Sequence, residues 1–226
     1  MPNHCYNILH VDGDTKQLGE FVRRITLEDG GYRIAQLIPM PKVLEGTHSP
    51  SIHSPEPDPK WAEWLADGTV TQERYDEMVT DRREAYEKGE KAFAETGYRE
   101  WYTWTVNNYG TKWGDYNHDL YNHDDDRLEL RYDTAWGPFD ESFWERVSSM
   151  FPALEFIIVY YEDGMDFAGV QKYFAGRLVY EDHNETLSHS LPELDWDDDD
   201  SIDRYDQAKC DYLDRLYEEA ESASTV

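Results

Sequence analysis

The sequence predicts an α+β fold, a ferredoxin-like sandwich in which helices cover one mainly antiparallel sheet. Segments with strand and helix patterns alternate at both ends of the chain, in the split βαβ order of that fold. A long, charged, helix-forming segment interrupts the alternation. We therefore expect a single sheet with a helical insertion and an additional C-terminal helix.

The first part of the chain contains a strand, a helix and a second strand. Residues 5–11 form the first strand candidate, and Asp14 or Thr15 can cap the helix that follows. Apolar side chains at helical spacing define its inner face: Leu18, Phe21, Val22 and Ile25. Residues 32–38 are predicted to form the second strand, which ends at Pro39.

The second part repeats this order and ends in a hairpin and a helix. Residues 127–134 alternate between apolar and polar side chains, and residues 154–160 are almost continuously apolar, as in a buried central strand. A helix at 139–151 separates these two strands, and a hairpin at 167–180 follows. The last helix is predicted at 203–220.

The domain boundaries follow from this order. Residues 1–181 are predicted to form the ferredoxin-like domain, with the helical insertion at about 42–125. Within that insertion, residues 71–94 and 98–106 have helical patterns, and residues 116–126 are expected to form a loop. Residues 182–226 are predicted to be an acidic linker and a helix that packs on the same domain.

The charge of the chain is its strongest global signal. It has 49 acidic and 21 Lys or Arg residues, a formal net charge of −28. Such a surface repels phosphate backbones, which argues against nucleic-acid binding through a broad basic patch. Three interpretations remain: solubility alone, adaptation to high salt, or carboxylates presented to a basic protein in place of phosphates.

Targeting signals and cysteine patterns are absent from the sequence. No apolar run approaches the roughly 18 residues of a membrane span, and the first residues do not resemble a signal peptide. Cys5 and Cys210 form neither a disulfide framework nor a metal-binding spacing. We expect a soluble, cytoplasmic protein that does not bind membranes.

Five motifs occur along residues 1–180: MPNHC at 1–5, IPMP at 38–41, NYGTKW at 108–113, TAWGP at 134–138 and EDGMDFAG at 162–169. In this order they resemble the YubB-type ferredoxin-like domain family of phages and conjugative plasmids. The resemblance implies the fold, a mobile-element origin and a role inside a bacterial cell. It brings no enzymatic activity and no catalytic residues.

The NYGTKW motif, together with the tryptophan of TAWGP, has a structural interpretation. We expect glycine turns, a tryptophan packed on the sheet and a lysine that neutralises nearby carboxylates, from these residues: Gly110, Thr111, Lys112, Trp113 and Trp136.

The candidate partner-binding residues are acidic. Carboxylates on rigid helices can pair with Arg and Lys in a groove that normally holds phosphates. The candidates lie on the insertion helix, in a loop and in an acidic run: Glu73, Asp76, Glu77, Asp81, Glu84, Asp124, Asp125, Asp126, Asp195, Asp197, Asp198, Asp199 and Asp200. The hypothesis is a non-enzymatic inhibitor of a host defence complex, of anti-CRISPR or antirestriction type, which occupies the nucleic-acid site of a basic host protein.

Two alternatives stay open. A metal-binding protein or enzyme could use the loop His118–Asp126, or the run Asp195–Asp206, whose acids echo a calcium loop but lack its glycine. A direct single-stranded nucleic-acid binder could stack bases on Trp104, Lys112 and Trp113. No cofactor motif or catalytic site is visible, no metal is predicted, and the oligomeric state stays open.

Overall fold

A computed structural model describes residues 3–224 of the chain. Its centre is a six-stranded sheet with the order β2-β3-β1-β4-β5-β6, in which all neighbouring strands are antiparallel. The strands are β1 (His4–Gly13), β2 (Tyr116–His123), β3 (Arg127–Ala135), β4 (Leu154–Glu162), β5 (Phe167–Phe174) and β6 (Arg177–Asn184). The helices are α1 (Thr15–Ile25), α2 (Pro59–Ala66), α3 (Gln72–Thr96), α4 (Trp101–Tyr109), α5 (Glu141–Met150) and α6 (Asp199–Ser222).

The strand order contains the split βαβ unit of a ferredoxin-like fold. Strand β1 is antiparallel to both β3 and β4, so β3 and β4 run in the same direction on either side of it. Helix α5 connects these two strands in the chain. The predicted fold class, with its helical insertion and C-terminal helix, is confirmed.

Alternation along β4 divides its side chains between two helical layers. Phe156 points to one face, where it contacts the rings of Phe21 from α1 and Trp144 from α5. Ile157 and Val159 point to the other face and join a buried cluster with α6 residues, namely Tyr212, Leu213, Leu216 and Ala220. Both faces of β4 are therefore buried, as its continuous apolar run predicts.

Polar caps set the helix ends that the sequence indicates. The Asp14 and Asp140 carboxylates accept from the amide nitrogens of Gln17 and Phe143, both at 2.9 Å. The Thr71 hydroxyl caps α3, which ends at Gly97 in the left-handed region, with φ of 80°.

Residues 32–38 do not form the predicted strand. Tyr32 makes a single antiparallel bridge with Thr26, and a 3₁₀ helix follows at Ile34–Leu37. The amide nitrogens of Ile34 and Ala35 donate to the buried carboxylate of Asp115, at 2.5 and 2.8 Å. These two amides donate to Asp115, and in a strand they would donate to a neighbouring strand. The distant hydrogen bonds therefore override the local strand pattern.

The prediction of a loop at 116–126 is wrong in its first eight residues, which form the edge strand β2. Its polar sequence lacks a strand signal, yet its backbone pairs with β3 across two register shifts. An edge strand needs only one hydrogen-bonded neighbour, and most of β2 is half-buried or exposed. Only its tip, residues 124–126, remains a turn.

The chain divides into two compact units. One combines the chain up to Ile38 with the chain from Asn108 onward, and it holds the sheet with α1, α5 and α6. The other is Pro39–Asn107, which contains α2, α3 and most of α4. Within residues 3–224, no helix combines the length and apolar character needed to cross a membrane.

Candidate functional site

The acidic run at residues 195–200 builds the start of α6. The Asp198 carboxylate caps the helix by accepting from the amide of Asp200 at 3.2 Å, and Asp199 and Asp200 lie in the first turn. The Asp195 amide donates to the buried hydroxyl of Ser201 at 3.0 Å. Acidic side chains at a helix N-terminus are stabilised by its dipole, so part of this run has a structural role.

Trp196 is the unexpected member of this segment. It is 76% exposed, the highest exposure among the large hydrophobic side chains of the described chain. The acids on both sides of it, Asp195 and Asp197, are exposed too. An acidic run that serves only solubility does not need a large, exposed indole, so the exposure of Trp196 calls for another explanation.

The outer face of α6 continues the acidic surface. Asp203, Asp214 and Glu221 lie along one line of the helix, because separations of 11 and 7 residues are close to whole turns. In the described part of the chain, no basic side chain lies within ion-pair distance of Asp203 or Asp214. The start and end of α6 are about 33 Å apart at 1.5 Å per residue.

The tip of the β2–β3 hairpin carries the next three candidate acids. Asp124, Asp125 and Asp126 are all exposed. Directly after them, Arg127 pairs with Asp12 at 2.5 Å and with Glu221 near the end of α6 at 3.4 Å. The fold thus links the hairpin base to the C-terminal end of α6, while residues 195–200 lie at its other end.

The acids of the insertion helix belong to the separate unit Pro39–Asn107. Glu73, Asp76, Glu77, Asp81 and Glu84 are exposed along α3. Glu77 pairs with Arg74 at 2.9 Å, and Asp76 accepts from Gln72 at 2.9 Å. On the same helix, Arg74 therefore neutralises one acid of this group, and the uncharged Gln72 donates a hydrogen bond to another.

The structure does not support the proposed metal loop. The His118 imidazole contacts the buried Asp115 carboxylate at 2.5 Å, whereas His123 and Asp124–Asp126 lie in and beyond the end of β2. No group of three or more His, Cys, Asp or Glu side chains suited to a metal ion occurs within residues 3–224. The structure does not support a calcium loop at residues 195–206 either, because Asp198 caps α6 and Asp199 and Asp200 lie in its first turn.

The NYGTKW segment is built into the sheet unit. Thr111 is fully buried, and both Gly110 and Gly114 have positive φ, at 75° and 78°. The Lys112 ammonium lies 4.5 Å from the ring centre of Trp113 and 6.0 Å from that of Trp136. Trp113 packs edge-on against Tyr116 of β2 and stays 38% exposed.

Of the residues predicted to stack on bases, namely Trp104, Lys112 and Trp113, Trp104 is unsuitable. Trp104 is only 6% exposed, so it belongs to a core and offers no ring face to a base. Trp136 is 37% exposed, similar to Trp113, and its ring centre is 6.0 Å from the Lys112 ammonium. Met1 and Pro2 of the first motif lie outside the described residues.

Comparison with protein families identifies the second part of the sheet unit. Residues 115–206 match a family model described as the ferredoxin-like domain in Api92-like protein. The match runs from Asp115 through β2–β6 into the first turns of α6. The ferredoxin-like description of that family agrees with the fold seen in the structure.

A solved structure was also found. The crystal structure of a protein Api92 from Yersinia pseudotuberculosis aligns with 81% of this chain and 98% of its own, at 11% identity and a TM-score of 0.46. Comparison with curated proteins found no match. The family comparison thus shows a similarity to the ferredoxin-like domain of Api92-like proteins over residues 115–206.

Sequence reasoning missed Trp196 and Asp115. The available signal for an exposed Trp196 was its position between two aspartates, which are rarely buried. Tryptophan is usually buried, so this signal was not used. Asp115 had no local signal, since its partners lie about 80 residues away in the sequence. Only the folded chain identifies it as the acceptor that positions the 3₁₀ helix.

Proposed function

We propose that this protein is an acidic interaction protein that binds a basic nucleic-acid-binding protein through Trp196 and the outer face of α6. The bound chain would occupy the partner's nucleic-acid site. The resemblance to the YubB-type family of phages and plasmids supports a mobile-element origin, and with it a host defence complex of CRISPR or restriction type as the target. In this proposal the protein acts in the bacterial cytoplasm and is not an enzyme.

The observation that carries the proposal is the exposed indole within an acidic surface. Protein interfaces typically combine a few aromatic anchors with a polar rim, and tryptophan is among the commonest anchors. Trp196 would be the anchor, and Asp195 and Asp197 would lie in the rim. Solubility alone accounts for the acids but not for an indole that is 76% exposed.

The acids of α6 would supply specific contacts with the partner and a high association rate. Carboxylates on a helix keep their spacing, so Arg and Lys side chains of a groove can form charge-assisted hydrogen bonds with several of them at once. The unpaired Asp203 and Asp214 are the best placed, because no intramolecular ion pair must be broken first. A long-range field of one sign also raises the association rate.

Affinity purification from a bacterial host lysate at low salt, with mass spectrometry, tests the proposal. The wild type should recover a nucleic-acid-binding protein, and Trp196→Ala should lose it. Trp64→Ala is the matched control, because Trp64 is 39% exposed on α2 in the other unit. The recovered protein is then purified and its nucleic-acid binding measured with and without this chain.

The proposal requires competition between this chain and nucleic acid for the partner. Equal recovery by the wild type and Trp196→Ala, or a partner that binds nucleic acid and this chain at the same time, would contradict it. Loss of recovery in Trp64→Ala alone would move the interface to the insertion unit.

Direct binding of single-stranded nucleic acid is a second candidate. The partly exposed Trp113 and Trp136 near the Lys112 ammonium favour it, since aromatic rings and a cation are the usual elements of such sites. Retention of single-stranded DNA or RNA at low salt, reduced by Trp113→Ala, is expected in that case. Absence of retention rejects this candidate and leaves the first unaffected.

A further inference from the structure

A cavity of about 700 Å³ lies within the unit Pro39–Asn107. The loop at residues 48–54, Trp61 of α2 and one face of α3 form its walls. The α3 face includes Met78, Arg82 and Ala85, whose separations of four and three residues place them on one side of the helix. The volume falls within the range of small-molecule sites, about 300–1,000 Å³.

Arg82 gives this cavity its chemical character. Its guanidinium carbon lies 5.8 Å from the ring centre of Trp61. Its Nε atom is buried and has no hydrogen-bond partner within the described chain. Donors hidden from water are normally paired, and a buried unpaired one costs free energy. Within residues 3–224, no carboxylate lies within ion-pair distance of this arginine, although the chain has 49 acidic residues.

The other polar groups at the cavity limit the charge that it accepts. Arg74 is already paired with Glu77 at 2.9 Å, and the His48 Nδ1 atom is hydrogen-bonded to the Pro50 carbonyl at 2.8 Å. Asp81 also lines the cavity and repels a second negative charge. Of the two arginines that line the cavity, Arg82 is thus the one without an ion pair within residues 3–224, and it is available to one anionic substituent.

The apolar wall defines the remainder of the ligand. Ile52, Met78 and Ala85 present aliphatic groups, and Trp61 presents an indole against which a flat ring can stack. We propose that this cavity binds a small aromatic monoanion, with its ring between Trp61 and the aliphatic wall and its anionic group on Arg82. This site is independent of the α6 surface.

Titration with 8-anilinonaphthalene-1-sulfonate, a fluorescent aromatic monoanion, tests the site. We expect one bound probe per chain, and binding at least tenfold weaker for Arg82→Met, which keeps the side-chain bulk but removes the charge and donors. Arg83→Met is the matched control, because Arg83 is the exposed next residue of the same helix. Trp61→Ala should also weaken binding, whereas Trp64→Ala should not.

A neutral analogue separates the two requirements. N-phenyl-1-naphthylamine lacks the anionic group, so it should bind weakly and equally to the wild type and Arg82→Met. Displacement of the anionic probe by benzoate but not by phenyl phosphate, a dianion at neutral pH, is expected from the position of Asp81. Stronger displacement by phenyl phosphate would overturn the monoanion assignment.

Equal affinity of the anionic probe for the wild type and Arg82→Met, or an equal loss in Arg83→Met, would overturn the site itself. Far-UV circular dichroism of each variant shows whether it folds. If Arg82→Met does not fold, Ile52→Asp replaces it: this change places a like charge on the loop wall and should abolish probe binding. Unchanged binding by that variant would equally refute the site.

Discussion

The Thr111 hydroxyl satisfies both backbone groups of Ala135: it donates to the carbonyl at 2.6 Å and accepts from the amide nitrogen at 3.0 Å. Both residues are fully buried. Because Ala135 ends β3, this contact ties the NYGTKW segment to the sheet where β3 stops pairing with β1. One side chain therefore replaces the neighbour that a longer strand would have supplied.

Replacing Thr111 with valine should destabilise the protein by about 2–4 kcal/mol, because two buried backbone groups lose their partner while the shape is conserved. Urea unfolding followed by tryptophan fluorescence measures the loss. Thr15→Val, at an exposed position at the start of α1, is the control and should change the free energy of unfolding little. A loss below about 0.5 kcal/mol for Thr111→Val would show that water replaces the hydroxyl.

Gly110 combines a positive φ of 75° with close neighbours. An added Cβ would lie 2.7 Å from the Asp140 Cβ and 3.0 Å from its amide nitrogen. Gly110→Ala should therefore cost about 2–4 kcal/mol, from left-handed strain plus displacement of the α5 cap. Gly30 has φ of 85° but open space around it, so Gly30→Ala should cost only about 1 kcal/mol. If Gly110→Ala and Gly30→Ala lost equal stability in thermal or urea unfolding, the close contact with Asp140 would not contribute to the cost.

The buried Asp115 carboxylate connects the 3₁₀ helix to the sheet, accepting from two backbone amides and contacting the His118 imidazole. Asp115→Asn keeps the size but removes one acceptor oxygen and the charge, so we expect a loss of about 2–3 kcal/mol. Asp119→Asn, at an exposed site on β2, the strand that follows Asp115, should be nearly neutral. Hydrogen exchange should also show faster opening at Ile34 and Ala35 in Asp115→Asn but not in Asp119→Asn.

His10 should make stability dependent on pH. Its ring lies 4.1 Å from that of Tyr217. Burial above all, together with the charge of Arg127 and against the opposing effect of Glu221, lowers the pKa of His10 from 6.5 to about 4. Between pH 6.5 and 4 the unfolded chain binds a proton that the folded chain does not. Stability from this group is therefore complete above pH 6.5 and falls as the pH drops towards 4, by about 2–3 kcal/mol.

The difference between wild type and His10→Gln isolates this effect from the many carboxylates. Urea unfolding of both at pH 7 and pH 4 should show a pH-dependent loss that is smaller by about 2 kcal/mol in the variant. His123→Gln, at an exposed site on β2, should follow the wild type. Parallel curves for wild type and His10→Gln would show that His10 titrates alike in both states.

Salt and charge reversal should locate the proposed partner interface. Affinity for the recovered partner should fall steeply between roughly 0.1 and 0.5 M salt, because exposed charges are screened over about 10 Å at 0.1 M. Asp203→Lys with Asp214→Lys on α6 should weaken binding by about tenfold and flatten the salt dependence. The paired control is Glu73→Lys with Glu84→Lys on α3. Loss in the α3 variant instead would place the interface on the insertion helix.

The elements whose signals are local were predictable. Capping by Asp14 and Thr71 and the left-handed Gly97 mark helix ends within a few residues. The apolar run at 154–160 predicts a strand buried on both faces, which is β4. All thirteen acids selected from the sequence are exposed, as expected for charged side chains that lack buried partners.

The sequence by itself determined the fold class, the helices and the acidic surface, because each depends on periodicity, capping or charge within one segment. Only the tertiary structure decided that residues 34–37 form a 3₁₀ helix and that the polar β2 joins the sheet, since Asp115 and β3 supply their hydrogen-bond partners. It also decided which charges meet, as where Arg127 contacts Asp12 and Glu221. The exposure of Trp196 and the lack of an acceptor for the Arg82 Nε atom within residues 3–224 have the same origin, because burial and pairing depend on segments that are distant in the sequence.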